Sequence, residues 1–281
     1  MARDFKQVDV FSAIPFQGNP LAVILDAEGL SGDQMQSIAR WSNLPETTFV
    51  LPPTDPANDY RVRIFSPQEE FPFAGHPTLG TAYALLQEGL QPKSHGVLVQ
   101  ECGVGLVTVR IAADGALGFR APAAQFEQMN VQHLPLLHRA LGVDAIAPGH
   151  APVAANMGIC WLIVRLETVA DCLSVSPDVS ALAELMQLTA CNGMAIYAPY
   201  GPGGPADYEV RAFLLENGLL VEDPVTGSAN ACIARLQPGE NYRVRQGTAL
   251  SRDGRVAVIF EDGEPWIYGQ AVTIIDGEIN C

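Results

Sequence analysis

The chain of 281 residues repeats itself at a spacing close to half its length, and no other feature narrows its folds as much. Asp59-Tyr60-Arg61-Val62-Arg63-Ile64-Phe65 matches Asp207-Tyr208-Glu209-Val210-Arg211-Ala212-Phe213 at five of seven positions, an offset of 148. In the first copy Tyr60, Val62 and Ile64 alternate with Arg61, Arg63 and Phe65, the period of two of a strand with one buried face. Upstream, Phe49-Val50-Leu51-Pro52 lies opposite Ile196-Tyr197-Ala198-Pro199, each a short apolar strand stopped by proline. A helical segment precedes each: 33–40 after Leu30-Ser31-Gly32, and 178–186 after Val175-Ser176-Pro177, with a hydroxyl-bearing residue placed to cap it. Downstream, Gly75-His76-Pro77-Thr78 lies opposite Gly227-Ser228-Ala229-Asn230 at an offset of 152, each glycine opening a helix of small residues.

Four separate features at nearly one offset predict a duplicated α/β unit with a pseudo-twofold relation between its copies. The junction is expected near Ala121-Pro122-Ala123-Ala124, before a helix-like stretch over 129–141. This gives an N-terminal lobe over 1–123 and a C-terminal lobe over 124–281, whose last strand could pack back on the first lobe.

Composition excludes several functions. With 16 Lys and Arg against 31 Asp and Glu, the net charge of −15 repels polyanions, so nucleic acid and acidic membranes are poor partners. Lys6 and Lys93 are the only lysines, which leaves little room for Schiff-base chemistry. No apolar run reaches the length of roughly 18 residues that a membrane span needs, and charges occupy the start of the chain where a signal peptide needs an apolar core. A cytoplasmic protein is expected. Six cysteines are scattered without a C-x-x-C pair, as expected of reduced, mostly buried thiols, and the histidines lack the spacing of metal ligands. No metal is expected.

The chemistry is sought at the two glycine-led helix starts. Gly75 and Gly227 leave backbone N–H groups open at the positive end of a helix, where a carboxylate can be held, although ordinary strand-to-helix turns also use glycine. The two halves then differ in an informative way. His76 stands where the other half has Ser228, and Glu46 falls opposite Gly193. Glu46 lies in a helix-to-strand turn among apolar residues, where desolvation would raise its pKa; a turn glutamate is otherwise an ordinary solvated group. Asp223 precedes the second helix start and either serves the site or organises the Asp-Pro turn.

Taken together, Gln17-Gly18-Asn19-Pro20-Leu21, Glu46-Thr47-Thr48-Phe49, Phe73-Ala74-Gly75-His76-Pro77 and Glu222-Asp223-Pro224-Val225-Thr226-Gly227-Ser228 resemble the blocks of the PhzF family. Asp9-Val10-Phe11 and Gln246-Gly247 extend the resemblance over most of the chain. It implies two similar lobes, each a mostly antiparallel sheet wrapped around a central helix as in diaminopimelate epimerase, with the active site in the cleft between them. It also implies Glu46 as general acid/base, His76 and Asp223 as its catalytic companions, Gly75, Gly227 and Ser228 as substrate-binding residues, no cofactor, and a homodimer. The related epimerases and racemases carry a cysteine at each helix start, and neither place holds one here.

The function these readings favour is a cofactor-independent isomerase that moves a proton within a small carboxylate-bearing substrate. An epimerase of amino or hydroxy acids and a non-catalytic small-acid binding protein are the alternatives. A carboxylate binder gains nothing from an apolar-flanked negative charge such as Glu46, which argues against the last.

Overall fold

The computed structural model describes residues 1–216, 218–237 and 239–281, and they form a mixed α/β protein of two compact units. The first comprises Met1–Arg120 and Ile267–Cys281, the second Ala121–Trp266.

The first unit contains β1 (Ala2–Val10), β2 (Asn19–Ile24), β3 (Glu46–Leu51), β4 (Tyr60–Phe65), β5 (Glu70–Phe71), β6 (Val97–Cys102), β7 (Gly105–Ile111) and β8 (Leu117–Arg120). Antiparallel pairs β1–β2, β3–β4, β6–β7 and β7–β8 alternate with parallel pairs β2–β3 and β4–β6, and β5 lies antiparallel on β4. Each parallel pair needs a crossover. Helix α1 (Gly32–Ser42) supplies the first and α2 (Gly75–Gln87) the second. Ser31 caps α1 in a capping box with Gln34. Helix α2 is different in kind, because its residues from Gly75 to Ala82 are all buried, so it runs through the unit's interior rather than over its surface. Small residues permit this. A Cβ on Gly80 would stand 2.5 Å from Leu21 Cδ2 and 2.7 Å from Val10 Cγ2.

In the second unit β9 (Gln125–Gln128), β10 (Val153–Asn156), β11 (Cys160–Arg165), β12 (Gly193–Pro199), β13 (Tyr208–Glu216), β14 (Leu219–Asp223), β15 (Tyr242–Gln246) and β16 (Gly254–Glu261) repeat the same pairings. Parallel β11–β12 and β13–β15 alternate with antiparallel β10–β11, β12–β13 and β15–β16, and β14 lies on β13 as β5 lies on β4. Helix α3 (Leu134–Leu141), preceded by a single 3-10 turn, occupies only the end of the predicted 129–141 stretch. Helices α4 (Val169–Ser174) and α5 (Val179–Thr189) make the first crossover, and α6 (Gly227–Leu236), buried like α2, makes the second.

The duplication reaches individual bonds. Arg63 grips Glu70 through Nε and Nη2 at 2.7 Å each, and Arg211 grips Glu222 at 2.9 and 2.8 Å. Asp59 accepts from the amides of Lys93 and Val99, and Asp207 from that of Arg243, so each aspartate anchors the start of a parallel pair. One cap departs from expectation. Asp178, not Ser176, caps α5, accepting from Ala181 N at 2.7 Å, because Ser176 lies two residues before the capping position, too far to reach the first-turn amides.

The chain returns to the first unit through β17 (Glu264–Gly269), and β18 (Ala271–Asn280) pairs antiparallel with β1. Lys6 of β1, only 2% exposed, donates to Asp276 and stands 2.7 Å from Glu88. Burial opposes its charge, but these carboxylates reverse the effect and hold its pKa above the ordinary lysine value. No helix among the described residues is long and apolar enough to cross a membrane.

Alanine in a helix ordinarily gains about 1 kcal/mol over glycine, whereas overpacking a filled core costs about 1–3 kcal/mol. The packing of Gly80 makes overpacking the larger effect. Gly80→Ala is therefore expected to lose about 1–2 kcal/mol in urea denaturation, and a gain would show that Leu21 and Val10 yield freely.

Candidate active site

Glu46 opens β3, and the parallel register sets it beside Leu21 of β2. His76 is the second residue of α2, and its ring hydrogen-bonds the carbonyl of Pro20, the residue before Leu21. Thus the first residues of β2 touch both groups, and the Glu46 Oε2 to His76 Nε2 distance is 3.2 Å. Buried hydroxyls fix this arrangement from behind. Thr81 Oγ1 of α2 donates to Thr48 Oγ1 of β3 at 2.8 Å, and Thr48 Oγ1 donates to the Ala22 carbonyl of β2. Under the first turn of α2, Tyr60 donates to Gln100, whose Nε2 donates to Thr78 Oγ1 at 3.0 Å.

Burial pushes the pKa of His76 down to about 3, and the hydrogen bond to Pro20 only partly offsets it. The ring is therefore neutral near pH 7, so its contact with Glu46 is not an imidazolium–carboxylate pair. A neutral imidazole has one N–H; given to Pro20, it leaves Nε2 as an acceptor facing the carboxyl group. Glu46 is 16% exposed and His76 7%, so the pair is largely withdrawn from water while the carboxyl group keeps a little access to it. Ala74 provides no side-chain cap to α2, whose first turn also contains no acidic residue, so the Gly75 and His76 amides carry the helix's positive end uncompensated by either.

In the second unit Asp223 ends β14, Gly227 opens α6, and Ser228 follows. Asp223 Oδ2 accepts from Thr226 Oγ1 at 2.7 Å. Gln246, wholly buried, donates to the Asp223 carbonyl and to Thr226 Oγ1, and accepts from Thr226 N and Asn230 Nδ2. Gly247, with φ of 96°, lets the next turn pass close to Pro224 O, where a Cβ would stand at 2.9 Å. Four hydrogen bonds to one buried side chain thus set the turn that carries Asp223.

Residues equivalent to the Glu46–His76 pair show why only one half has it. Trp161 pairs with Gly193 as Leu21 pairs with Glu46. A Cβ on Gly193 would lie 2.6 Å from Trp161 Cζ3, so the indole fills the space a side chain would need. Its Nε1–H donates to Ser228 Oγ at 3.0 Å, an uncharged contact at the place of the acid–base pair.

The structure therefore brings Glu46, Gly75 and His76 together in one unit and Asp223, Gly227 and Ser228 in the other. Cys232, one turn into α6, is fully buried, and burial raises its thiol to about 12, so it is unfit as a proton carrier. The supporting Thr48, Thr81 and Gln246 went unnoticed as site residues in the sequence; hydroxyl and amide groups inside otherwise apolar buried elements were the available signal. A groove of about 1210 Å³ in the first unit, lined by Leu51, Arg61, Arg63 and Glu101, contains neither Glu46 nor His76.

A family model described as phenazine biosynthesis-like protein matches residues 8–277. A trans-2,3-dihydro-3-hydroxyanthranilate isomerase from Pseudomonas aeruginosa is 34% identical over 261 residues, covering 89% of this chain and 87% of that one. The crystal structure of a Bacillus anthracis phenazine biosynthesis protein of the PhzF family superposes with a TM-score of 0.87 at 25% identity, each chain fully covered. A hydroxyproline epimerase from Agrobacterium vitis superposes with a TM-score of 0.61 at 14% identity over 99% of this chain and 92% of that one, a likeness of fold.

The neutral state of His76 has a pH signature. Its folded pKa of about 3 lies below the ordinary value of 6.5, so the unfolded chain takes up a proton that the folded ring refuses, and stability falls as pH drops from about 6.5 toward 3. Between pH 7 and 5 the wild type is expected to lose about 2 kcal/mol more than His76→Phe in urea denaturation. Equal losses would mean that the folded protein binds the proton.

Proposed function

This chain belongs to the phenazine biosynthesis-like protein family and is an isomerase of the PhzF kind, and on that premise we propose that Glu46 carries a proton between two carbons of a small carboxylate-bearing substrate. The observation that carries this reading is the 3.2 Å contact between Glu46 and a buried, neutral His76. The acceptor Nε2 of a neutral imidazole can take a hydrogen bond from the protonated carboxyl group and gives the carboxylate no ion-pair partner, so the group is not fixed as an anion and can alternate between base and acid.

In the proposed step the Glu46 carboxylate takes a proton from an sp³ carbon of the substrate. The C–H electron pair forms a new double bond to the neighbouring carbon, the old π pair moves to the far carbon, and there it takes the proton that the protonated carboxyl returns. No atom or electron is gained or lost. His76 and Asp223 orient polar substituents of the substrate. Each unit, taken by itself, offers a place for a substrate carboxylate: the Gly75 amide in the first, and the Gly227 amide with the Ser228 hydroxyl in the second, a role suited to uncapped helix starts. No cofactor enters the scheme. Because one relative is named for trans-2,3-dihydro-3-hydroxyanthranilate, that compound is the first substrate to try. We further assign the protein as a homodimer.

Proton NMR in deuterated water, with this compound and a panel of amino and hydroxy acids, tests the chemistry. Wild type is expected to isomerise a substrate with deuterium entering at the receiving carbon, and Glu46→Gln to be slower by about 10²–10⁴-fold. Undiminished turnover by Glu46→Gln would refute the assignment. Light scattering is expected to give about twice the 30.1 kDa of one chain, and a single-chain mass would exclude the dimer.

A further inference from the structure

The first strand pair of the second unit brings two cysteines together that no step above uses. Trp161 and Gly193 are register partners in the parallel β11–β12 ladder. Just before them, Asn192 N donates to Cys160 O at 2.8 Å, and Cys160 N donates to Asn192 Oδ1 at 2.9 Å. Cys191 therefore sits at the mouth of the same ladder, with its sulfur 3.0 Å from that of Cys160. That spacing is tighter than ordinary contact between non-bonded sulfurs. A disulfide at about 2.05 Å needs them only about 1 Å closer.

We infer that Cys160 and Cys191 form a reversible intramolecular disulfide when the protein meets a peroxide. One thiolate sulfur attacks the peroxide O–O bond and becomes a sulfenic acid, and the expelled hydroxide leaves as water with the thiol's proton. The second thiol then displaces the sulfenic hydroxyl as another water. Two thiols are oxidised by two electrons, and one peroxide is reduced to two waters.

The surroundings favour this pairing over others. Cys160 and Cys191 are 8% and 7% exposed, within reach of a small oxidant, whereas Cys172 and Cys232 are fully buried. Cys232 Sγ donates to the Ala155 carbonyl and Cys191 Sγ to that of Thr189, both at 3.6 Å, so the pairing is decided by the 3.0 Å approach of Cys160 to Cys191. Cys102 belongs to the other unit, and Cys281 is the exposed chain end. Burial and the Cys191 sulfur hold the Cys160 thiol up at about 12, so the reaction is slow and calls for sustained peroxide rather than a brief pulse. The cross-link would tie the end of α5 to the strand that carries Trp161, whose indole N–H holds Ser228. The disulfide itself does not depend on the function assigned to Ser228.

Incubating the wild-type protein with excess hydrogen peroxide, blocking remaining thiols and mapping the peptides by mass spectrometry tests the inference. The expected product is a Cys160–Cys191 peptide, lighter by about 2 Da than the two thiols and restored by dithiothreitol. The oxidised protein is expected to melt roughly 5 °C higher, because the bond closes a loop between residues 31 apart. A cross-link from either cysteine to Cys232 would overturn the inference. So would conversion of Cys160 or Cys191 to sulfinic acid without a cross-link, or modification confined to Cys102 and Cys281.

Discussion

Burying a helix on every side is the constraint on which the rest of this structure depends. A helix that meets apolar neighbours all round must be built from small residues where they approach, and α2 does this with Gly75, Gly80 and Ala82. Its first turn is then interior, with a polar ring among apolar groups. The same burial that packs the core therefore strips water from His76 and fixes it as a neutral imidazole.

An interior helix end also creates polar debts, since each buried donor or acceptor left without a partner costs about 1–3 kcal/mol. The core meets them with side chains. Thr48 and Thr81 join helix to sheet in the first unit, and Gln100 reaches Thr78. In the second unit Gln246 serves the turn before α6 with four bonds at once. These contacts are directional where apolar packing is not, so they set the positions of Glu46, His76 and Asp223 to within hydrogen-bond tolerance.

The two units show how one architecture carries two chemistries. Both keep the Arg–Glu grip between neighbouring strands and the aspartate that anchors the parallel pair. They part at three equivalent positions, where Leu21, Glu46 and His76 of one unit become Trp161, Gly193 and Ser228 of the other. These exchanges belong together. The indole fills the volume that glycine leaves, and its N–H takes the serine hydroxyl.

The sequence by itself determined the duplicated α/β plan, because strand alternation, capping residues and glycine-led helices are local signals that recur at one offset. Family membership and isomerase activity were also legible in it, since they rest on motifs. Glu46 and His76 could be singled out from it but not joined, since 30 positions separate them and their contact arises from the register of β2 on β3 and the burial of α2. The protonation state of His76 was likewise out of reach, being a property of the dielectric around the ring. The cap of α5 went to Asp178 because the choice turned on which side chain faces the first-turn amides. Cys160 and Cys191 look unrelated along the chain, and only the parallel ladder sets their sulfurs side by side. Local propensity wrote the elements, while register and burial decided which distant groups meet and in what charge state.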